Sequence, residues 1–368
     1  MDMNKIEKSF QFVLGKLDKD LDKFTDKFPG EQSKNYVYQP TENGSWTESF
    51  YTGMLWLSYE ITKDEKYLKV IRSHINSFKD RIEKEHNVNH HDLGFLYTLS
   101  CVSAYKLTGD EEAKEIAIKA AKKLITRFQE KGQFIQAWGE MNEPNNYRLI
   151  IDCLLNLPLL FWATEVTGDN KYADIAKKHL KTAISVVLRD DGTTHHTYFF
   201  DIETGAPLKG VTAQGYSDDS CWARGQAWGI YGTALAYTYT KDEFILETYK
   251  TITDCFISKL PKNYVPFWDM DFTDGDDQPR DTSAAAIAVC GILEMDKYIK
   301  EPKYKDYADK MMESLMDNYL TEDYSNGILS DAMYSRKSGH NPECNIWGDY
   351  YFTEAIMRYK NPDWKIYW

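Results

Sequence analysis

The sequence predicts an all-α fold, an (α/α)6 barrel in which six inner helices are ringed by six outer ones. Two observations carry this prediction. The first is a phrase that recurs along the chain: an apolar, aromatic-rich segment, a Thr/Lys/Gly/Asp turn, then a charged amphipathic segment. It reads MLWLSYEITKDEKYLKVIRSHI from Met54, LYTLSCVSAYKLTGDEEAKEIAIKAA from Leu96 and LLNLPLLFWATEVTGDNKYADIAKKHL from Leu154. It returns as AWGIYGTALAYTYTKDEFILETYKTI from Ala227 and AAIAVCGILEMDKYIKEPKYKDYADKMM from Ala285. The second is that helix character alternates within each copy. The first helix is apolar nearly all round and must be buried on both sides, whereas the second carries one apolar stripe and covers one side only. Internal repeats of this kind mark arrays of a single supersecondary unit.

Taken in order, an amphipathic helix starts near residue 4 and the first apolar helix near residue 46. The amphipathic partner of the latter starts near 65, with Tyr67, Val70, Ile71, Ile75 and Phe78 at three-and-four spacing. Further apolar helices start near 92, 149, 222, 281 and 347, and further amphipathic ones near 111, 170, 243 and 302. In the turns, Gly109 and Gly168 stop one helix. The Asp or Asp-Glu that follows starts the next, where a carboxylate suits the orphan N–H groups. The N-terminal helix and the last apolar helix close the ring as one pair. The expectation is a single domain over residues 1–368, with the uneven spacing of the copies absorbed in loops before the inner helices.

A chain of 368 residues, 42% hydrophobic, can bury a large core without disulfides or a structural metal. Its net charge of −13 argues against a nucleic-acid partner, which normally meets a basic face. It also requires any anionic substrate to be held by locally placed Arg, His or backbone N–H groups. No run approaches the roughly 18 apolar residues of a membrane span, and the opening MDMNKIEKSFQFVLGKLDKD does not read as a signal peptide. The six cysteines, Cys101, Cys153, Cys221, Cys255, Cys290 and Cys344, form no C-x-x-C pair and read as reduced core thiols of a cytoplasmic protein. Many exposed charges and no apolar stripe suit a monomer or a weak homodimer.

Unusual residues collect at the start of each inner helix or in the loop before it. They are Trp46; His90, His91 and Asp92; Trp138, Arg148 and Asp152; His195, His196, Gln214, Trp222, Arg224 and Trp228; Arg280 and Asp281; Trp347 and Asp349. If the inner helices run the same way, these groups meet at one mouth of the barrel. Aromatic rings stack on the apolar faces of a sugar while polar groups hold its hydroxyls. Each carboxylate also has a structural reading. Asp281 and Asp349 suit caps or partners of Arg, and capping suits Asp92 and Asp152 too. Asp152, however, lies in the apolar run Arg148-Leu-Ile-Ile-Asp-Cys-Leu-Leu-Asn-Leu, where a carboxyl is costly without a task or a partner. Arg148, four residues earlier, is a candidate partner; the alternative is a general acid whose pKa desolvation raises.

His90 and His91 show no metal-ligand spacing, so no metal and no cofactor are expected. The acidic stretch Asp269-Met-Asp271-Phe-Thr-Asp274-Gly-Asp276-Asp277 fails the register of a calcium loop and reads as a solvated loop. No G-x-x-x-x-G-K-[ST], G-x-G-x-x-G or G-x-S-x-G occurs.

The same residues sit inside longer phrases: His90-His-Asp-Leu-Gly-Phe-Leu-Tyr97, Phe134-Ile-Gln-Ala-Trp-Gly139, Arg148-Leu-Ile-Ile-Asp-Cys-Leu-Leu-Asn156, and Tyr216-Ser-Asp-Asp-Ser-Cys-Trp-Ala-Arg-Gly-Gln-Ala-Trp-Gly-Ile-Tyr-Gly232. Gln278-Pro-Arg-Asp-Thr-Ser283 and Asn345-Ile-Trp-Gly-Asp-Tyr-Tyr351 follow. Together they resemble the unsaturated glucuronyl hydrolases of glycoside hydrolase family 88, from about Trp46 to the C-terminus. The resemblance implies the (α/α)6 barrel and a substrate left by polysaccharide lyases: a glycosaminoglycan disaccharide, from chondroitin or hyaluronan, with a 4,5-unsaturated uronic acid at its non-reducing end. It implies hydration of the vinyl ether, with Asp152 protonating C4 and then activating the water that adds at C5, releasing the unsaturated uronic acid and an amino sugar. Asp92 matches the second family carboxylate. Trp46, His91, Trp138, His196, Gln214, Trp222, Arg224 and Trp228 match sugar-contacting positions, with Arg224 and Gln214 expected on the anionic, polar edge.

Members of that family favouring 6-O-sulfated chondroitin units resemble Tyr334-Ser335-x-x-Ser338-Gly-x. They carry Lys where His340 stands here and Arg where Ala213 stands. Ser335 and Ser338 are kept and both cations are changed, which implies a weaker preference for the 6-sulfate. The competing readings are an unsaturated rhamnogalacturonyl hydrolase with the same barrel, a sugar 2-epimerase using His195 or His196 as acid/base, and a sugar-binding toroid without turnover.

Overall fold

The computed structural model describes residues 1–368. Its helices are α1 Met3–Asp20, α2 Glu48–Thr62, α3 Glu65–Glu83, α4 Leu93–Tyr97, α5 Ser103–Thr108, α6 Glu111–Ile125 and α7 Pro158–Thr167. They continue as α8 Lys171–Val187, α9 Ala223–Thr240, α10 Glu243–Ser258, α11 Thr282–Met295, α12 Pro302–Asn318 and α13 Ile346–Lys360. A π-helical stretch, Thr98–Val102, joins α4 and α5 into one inner helix. The chain is an (α/α)6 barrel: α2, α4–α5, α7, α9, α11 and α13 are inner, and α1, α3, α6, α8, α10 and α12 are outer. Every outer helix begins within one residue of its expected start.

Composition separates the two rings. Every residue of α11, from Thr282 to Met295, is buried, whereas α3 buries only a stripe from Tyr67 through Val70, Ile71, His74 and Phe78. One cluster of 108 buried side chains runs from Ile6 to Trp368. The short turns lie at one end of the barrel. Gly109 and Gly168 end their helices at φ of 73° and 74°, and Lys63 and Lys241 take the same left-handed position in two of the other three turns. Asp64, Asp110 and Asp242 then cap α3, α6 and α10, each accepting a backbone N–H through its side chain. The ring closes where α1 packs on α13.

The long loops lie at the other end and hold three small antiparallel sheets. The first pairs β1 Phe28–Pro29 with β2 Pro40–Thr41, and the second pairs β3 Phe128–Gln129 with β4 Phe134–Ile135. The third runs β5 Arg148–Ile150, β6 Thr197–Phe200 and β7 Pro207–Val211. Here the third inner helix departs from expectation. Arg148–Ile150 is a strand against β6, Ile151–Leu155 is a 3-10 turn, and the α-helix begins only at Pro158, which is preset for a first turn. Asp152 therefore sits on a strand-to-helix corner, not within an apolar helix.

No helix is long and apolar enough to cross a membrane. All six cysteines are buried and unpaired.

Candidate active site

A cavity of about 470 Å³ opens at the end where the inner helices begin. Its walls come from the loop before α2 (Gly44, Ser45, Trp46), the loop before α4 (Asn87, Asn89, His90, His91, Asp92), Trp138, and the corner at Ile150 and Asp152. His196 just before β6, Ala213 and Gln214 after β7, Trp222 at the head of α9, Arg224 and Trp228 within it, and Tyr334 complete it. Buried ties fix these loops from behind. Glu48 accepts from the backbone N–H groups of Gly44 and Ser45 and pairs with Arg81 at 3.3 Å. Arg81 also donates to the carbonyls of His86 and Asn87, while Arg127 donates to those of Gln136 and Gly139 beneath Trp138.

Two carboxylates share the floor. His91 Nε2 lies 3.4 Å from Asp92 Oδ1 and 3.5 Å from Asp152 Oδ1, and one ligand atom from each of the three residues falls within 4.8 Å of the others. Burial, and then the negative charge of Asp92, push the Asp152 carboxyl well above the usual carboxylate range, against a pull from Arg224. Burial works to raise Asp92 as well. His91, the His90 hydrogen bond and Arg81 outweigh it and hold that carboxyl below its ordinary value. Like charges this close resist ionising together, so of the two carboxyls Asp152 is the one that holds a proton more tightly. Burial pulls His91 down to about 4, so its ring is neutral. The same three residues could hold a cation, but His91 Nδ1 is buried without the acceptor that ordinarily orients a metal-bound imidazole.

Arg148 is not the partner of Asp152. Its guanidinium donates to the carbonyl of Asn145 and stacks on Trp138 at 4.3 Å; Arg148 lies in an extended strand and Asp152 in the turn after it, so the one-turn helical spacing that would bring them together does not form. Arg224 lines the cavity with its polar ends already engaged. One terminal nitrogen donates to Asp281 and the Met333 carbonyl, both at 2.7 Å, and the other to Gln214 Oε1 and the Tyr334 carbonyl. Its plane lies between Trp222 and Trp347. The Gln214 amide nitrogen is left as a donor towards the cavity. His196 packs against Trp222, and its Nδ1 accepts from the backbone N–H of Ala213 at 3.0 Å. Its proton is therefore on Nε2, and burial pulls the ring down to about 3.

Trp46 lies 5.0 Å from Trp347 and donates to the Tyr334 hydroxyl. Trp138 is 43% exposed at the rim. Eleven of the residues singled out in the sequence thus meet in one cavity. Ser335 and Ser338 do not line it; they hydrogen-bond to each other at 3.0 Å in the loop beside it. His195 is turned away against Arg189.

Two acidic readings change. Asp281 both caps α11 and pairs with Arg224, but Asp349 has no Arg partner: it accepts from Ile328 N, Leu329 N and the Tyr38 hydroxyl. In the acidic stretch, Asp269 is fully buried and accepts from Tyr216 N and Ser220 Oγ, anchoring the loop before α9; only the later residues are solvated. The sequence reading also passed over Asn87 and Asn89, whose sole signal was nearness to His90, and Tyr334 as a wall.

A family profile described as Glycosyl Hydrolase Family 88 matches residues 20–363. The unsaturated chondroitin disaccharide hydrolase of Streptococcus pneumoniae is 49% identical over 97% of this chain and 92% of its own. The crystal structure of an unsaturated glucuronyl hydrolase from Streptococcus agalactiae superposes with a TM-score of 0.98 at 47% identity, covering 100% of this chain and 94% of that one. A mutant of the Streptococcus agalactiae enzyme complexed with dGlcA-GalNAc6S superposes with a TM-score of 0.89 at 43% identity, over 100% and 94% of the two chains.

Proposed function

The chain belongs to glycosyl hydrolase family 88, and from that membership we propose that it hydrolyses 4,5-unsaturated glucuronyl disaccharides released from glycosaminoglycans by polysaccharide lyases. The observation that carries the site assignment is the pairing, across His91 in an aromatic-walled cavity, of Asp152, whose carboxyl is pushed up by desolvation and by Asp92, with Asp92, whose carboxyl is held down.

The C4=C5 double bond of the substrate is a vinyl ether, so its electrons are available at C4. Asp152 gives its proton to C4, and the positive charge that results is shared by C5 and the ring oxygen. Asp92, fixed at the head of α4, stabilises this charge and the sugar hydroxyls around it. A water adds at C5 and passes a proton back to Asp152, now the base. One group performs both transfers, which requires a carboxyl with an elevated pKa. The C5 hemiketal then loses its bond to the ring oxygen, leaving a ketone, and the opened C1 hemiacetal expels the amino sugar. No displacement at the anomeric carbon occurs, so the spacing rule for ordinary glycosidase carboxylates does not apply. The Gln214 amide and His196 Nε2–H suit the uronate and hydroxyl oxygens, and Trp46, Trp138, Trp222 and Trp228 supply ring faces. Arg224 supports Gln214 and places positive charge behind the uronate.

We also assign a cytoplasmic location and a monomer or weak homodimer, a reading supported by six unpaired thiols and no membrane-spanning helix.

The test is the near-UV absorbance of unsaturated chondroitin disaccharide. Wild type is expected to abolish it, and Asp152→Asn to slow its loss by at least about 100-fold while still binding the sugar. A flat trace with the wild type, on this and on the pectin-derived disaccharide, would overturn the reading.

A further inference from the structure

Asp92 and Asp152 belong to separate hairpins, so their separation depends on whatever joins the head of α4 to the corner before α7. Asn156 makes that join. It is fully buried, its Oδ1 accepts from Phe95 N at 2.7 Å, and its Nδ2 donates to the carbonyl of Asp152 at 3.3 Å. One side chain thus spans from the first turn of the helix headed by Asp92 to the backbone of Asp152 itself.

The packing around it permits no slack. A Cβ on Gly94 would lie 2.2 Å from Asn156 Cα and 2.5 Å from its carbonyl oxygen, so the two backbones are in direct contact there. On the opposite side, a Cβ on Gly232 of α9 would lie 2.4 Å from Leu154 Cβ. The corner bearing Asp152 is held between two glycine notches, and Ile151 N, just past β5, pins its start to the His196 carbonyl at 3.0 Å. A segment fixed on three sides has one position relative to Asp92.

We infer that Asn156 is a positioning residue that sets the separation of the two catalytic carboxylates by clamping the head of α4 to the Asp152 corner. This deepens, and rests on, the hydrolase reading given above. Asn156 touches neither substrate nor reacting atoms in this role; it acts through Asp92 and Asp152. The charged and titratable groups facing that pair are His90 and His91 before α4, Arg81 of α3, Arg127 after α6, Cys153 beside Asp152, His196 before β6, Arg224 of α9 and Tyr351 of α13. None of these groups is removed when Asn156 is replaced, so a shift in the pH profile reports the arrangement of the pair and not the loss of a neighbouring charge.

The experiment compares Asn156→Ala, and the milder Asn156→Ser, with wild type in kcat and kcat/KM across pH, each corrected for folded fraction by circular dichroism. We expect kcat to fall about ten- to a hundred-fold with KM changed far less. The alkaline limb of the profile should move down by about half a pH unit or more, because Asp92 repels a more distant Asp152 less. Gly94→Ala, which wedges the same junction from the other wall, should move the limb the same way. If folded Asn156→Ala and Asn156→Ser both keep the wild-type profile and lose only stability, the clamp is structural and the inference falls. If the wild type does not turn over the disaccharide, the functional reading falls instead.

Discussion

The Arg224 guanidinium meets the Asp281 carboxylate at 2.7 Å, with 2% and 0% of the two side chains exposed. A dry pair of this kind contributes little over an apolar filling, but removing one member strands the other. Asp281→Ala is therefore expected to cost about 3–5 kcal/mol of stability in a denaturant titration. Activity should fall with it, because Gln214 and the Tyr334 carbonyl take their positions from Arg224. A cost under about 1 kcal/mol would mean that the pair is not buried in solution.

The carboxylates on the cavity floor predict a bell-shaped pH dependence. In the proposed mechanism Asp152, with its raised carboxyl, acts as the acid, so activity should be present below its pKa and lost as pH rises through it; Asp92, held low, acts ionised, so activity should be lost as pH falls through its pKa. In Asp92→Asn the repulsion on Asp152 is gone. The alkaline limb of the residual activity should move to lower pH. An alkaline limb that stays put would assign it to another group.

The reach of sequence reading over this fold and site followed the locality of the signal. Helix burial and turn chemistry are local, so the inner and outer rings were legible, as were most cavity walls at the inner-helix starts. The stretch from Arg148 to Ile151 was not. Its apolar run suits a helix or a strand, and the choice is made by β6, which lies far along the chain and carries no mark in residues 148–152. The state of Arg224 was hidden for the same reason, since Asp281, Met333 and Tyr334 are brought to it only by closure of the ring. Asp269, embedded in a visibly acidic loop, gave no sign that it turns inward to hold Tyr216 and Ser220.

Asp349 predicts a second pH effect, on stability. Burial raises its carboxyl from 3.8 to about 7 against three hydrogen bonds. Its folded pKa lies above the unfolded one, so the contribution is full below pH 3.8 and declines as pH rises through about 7. Melting wild type and Asp349→Asn from pH 4 to 8 should show the wild type losing its advantage by up to ~1.4 kcal/mol per pH unit. Parallel curves would mean that Asp349 stays ionised throughout.

The leaving sugar supplies the last test. Ala213 and His340 lack the cations of the 6-sulfate-preferring pattern, while exposed Lys337 reaches the Thr212 carbonyl at 3.4 Å and leaves one mobile charge at the rim. Rates on 6-sulfated and unsulfated disaccharides are expected within about tenfold, less than one charge-assisted hydrogen bond provides. Lys337→Ala should narrow the difference further. A large advantage for the 6-sulfate would show that this rim binds sulfate by another route.

Short turns at one end and long loops at the other have a consequence for how the molecule fails. No hairpin holds the whole of the proposed catalytic apparatus: Asp152, Asp92, the tryptophan faces and Arg224 arrive from different repeats, and their spacing exists only once α1 has met α13. Turnover is therefore a reporter of the whole assembly. Opening any single hairpin, even one remote from the floor, should silence the enzyme before the bulk of its helicity melts, so inactivation by heat should precede the loss of circular dichroism.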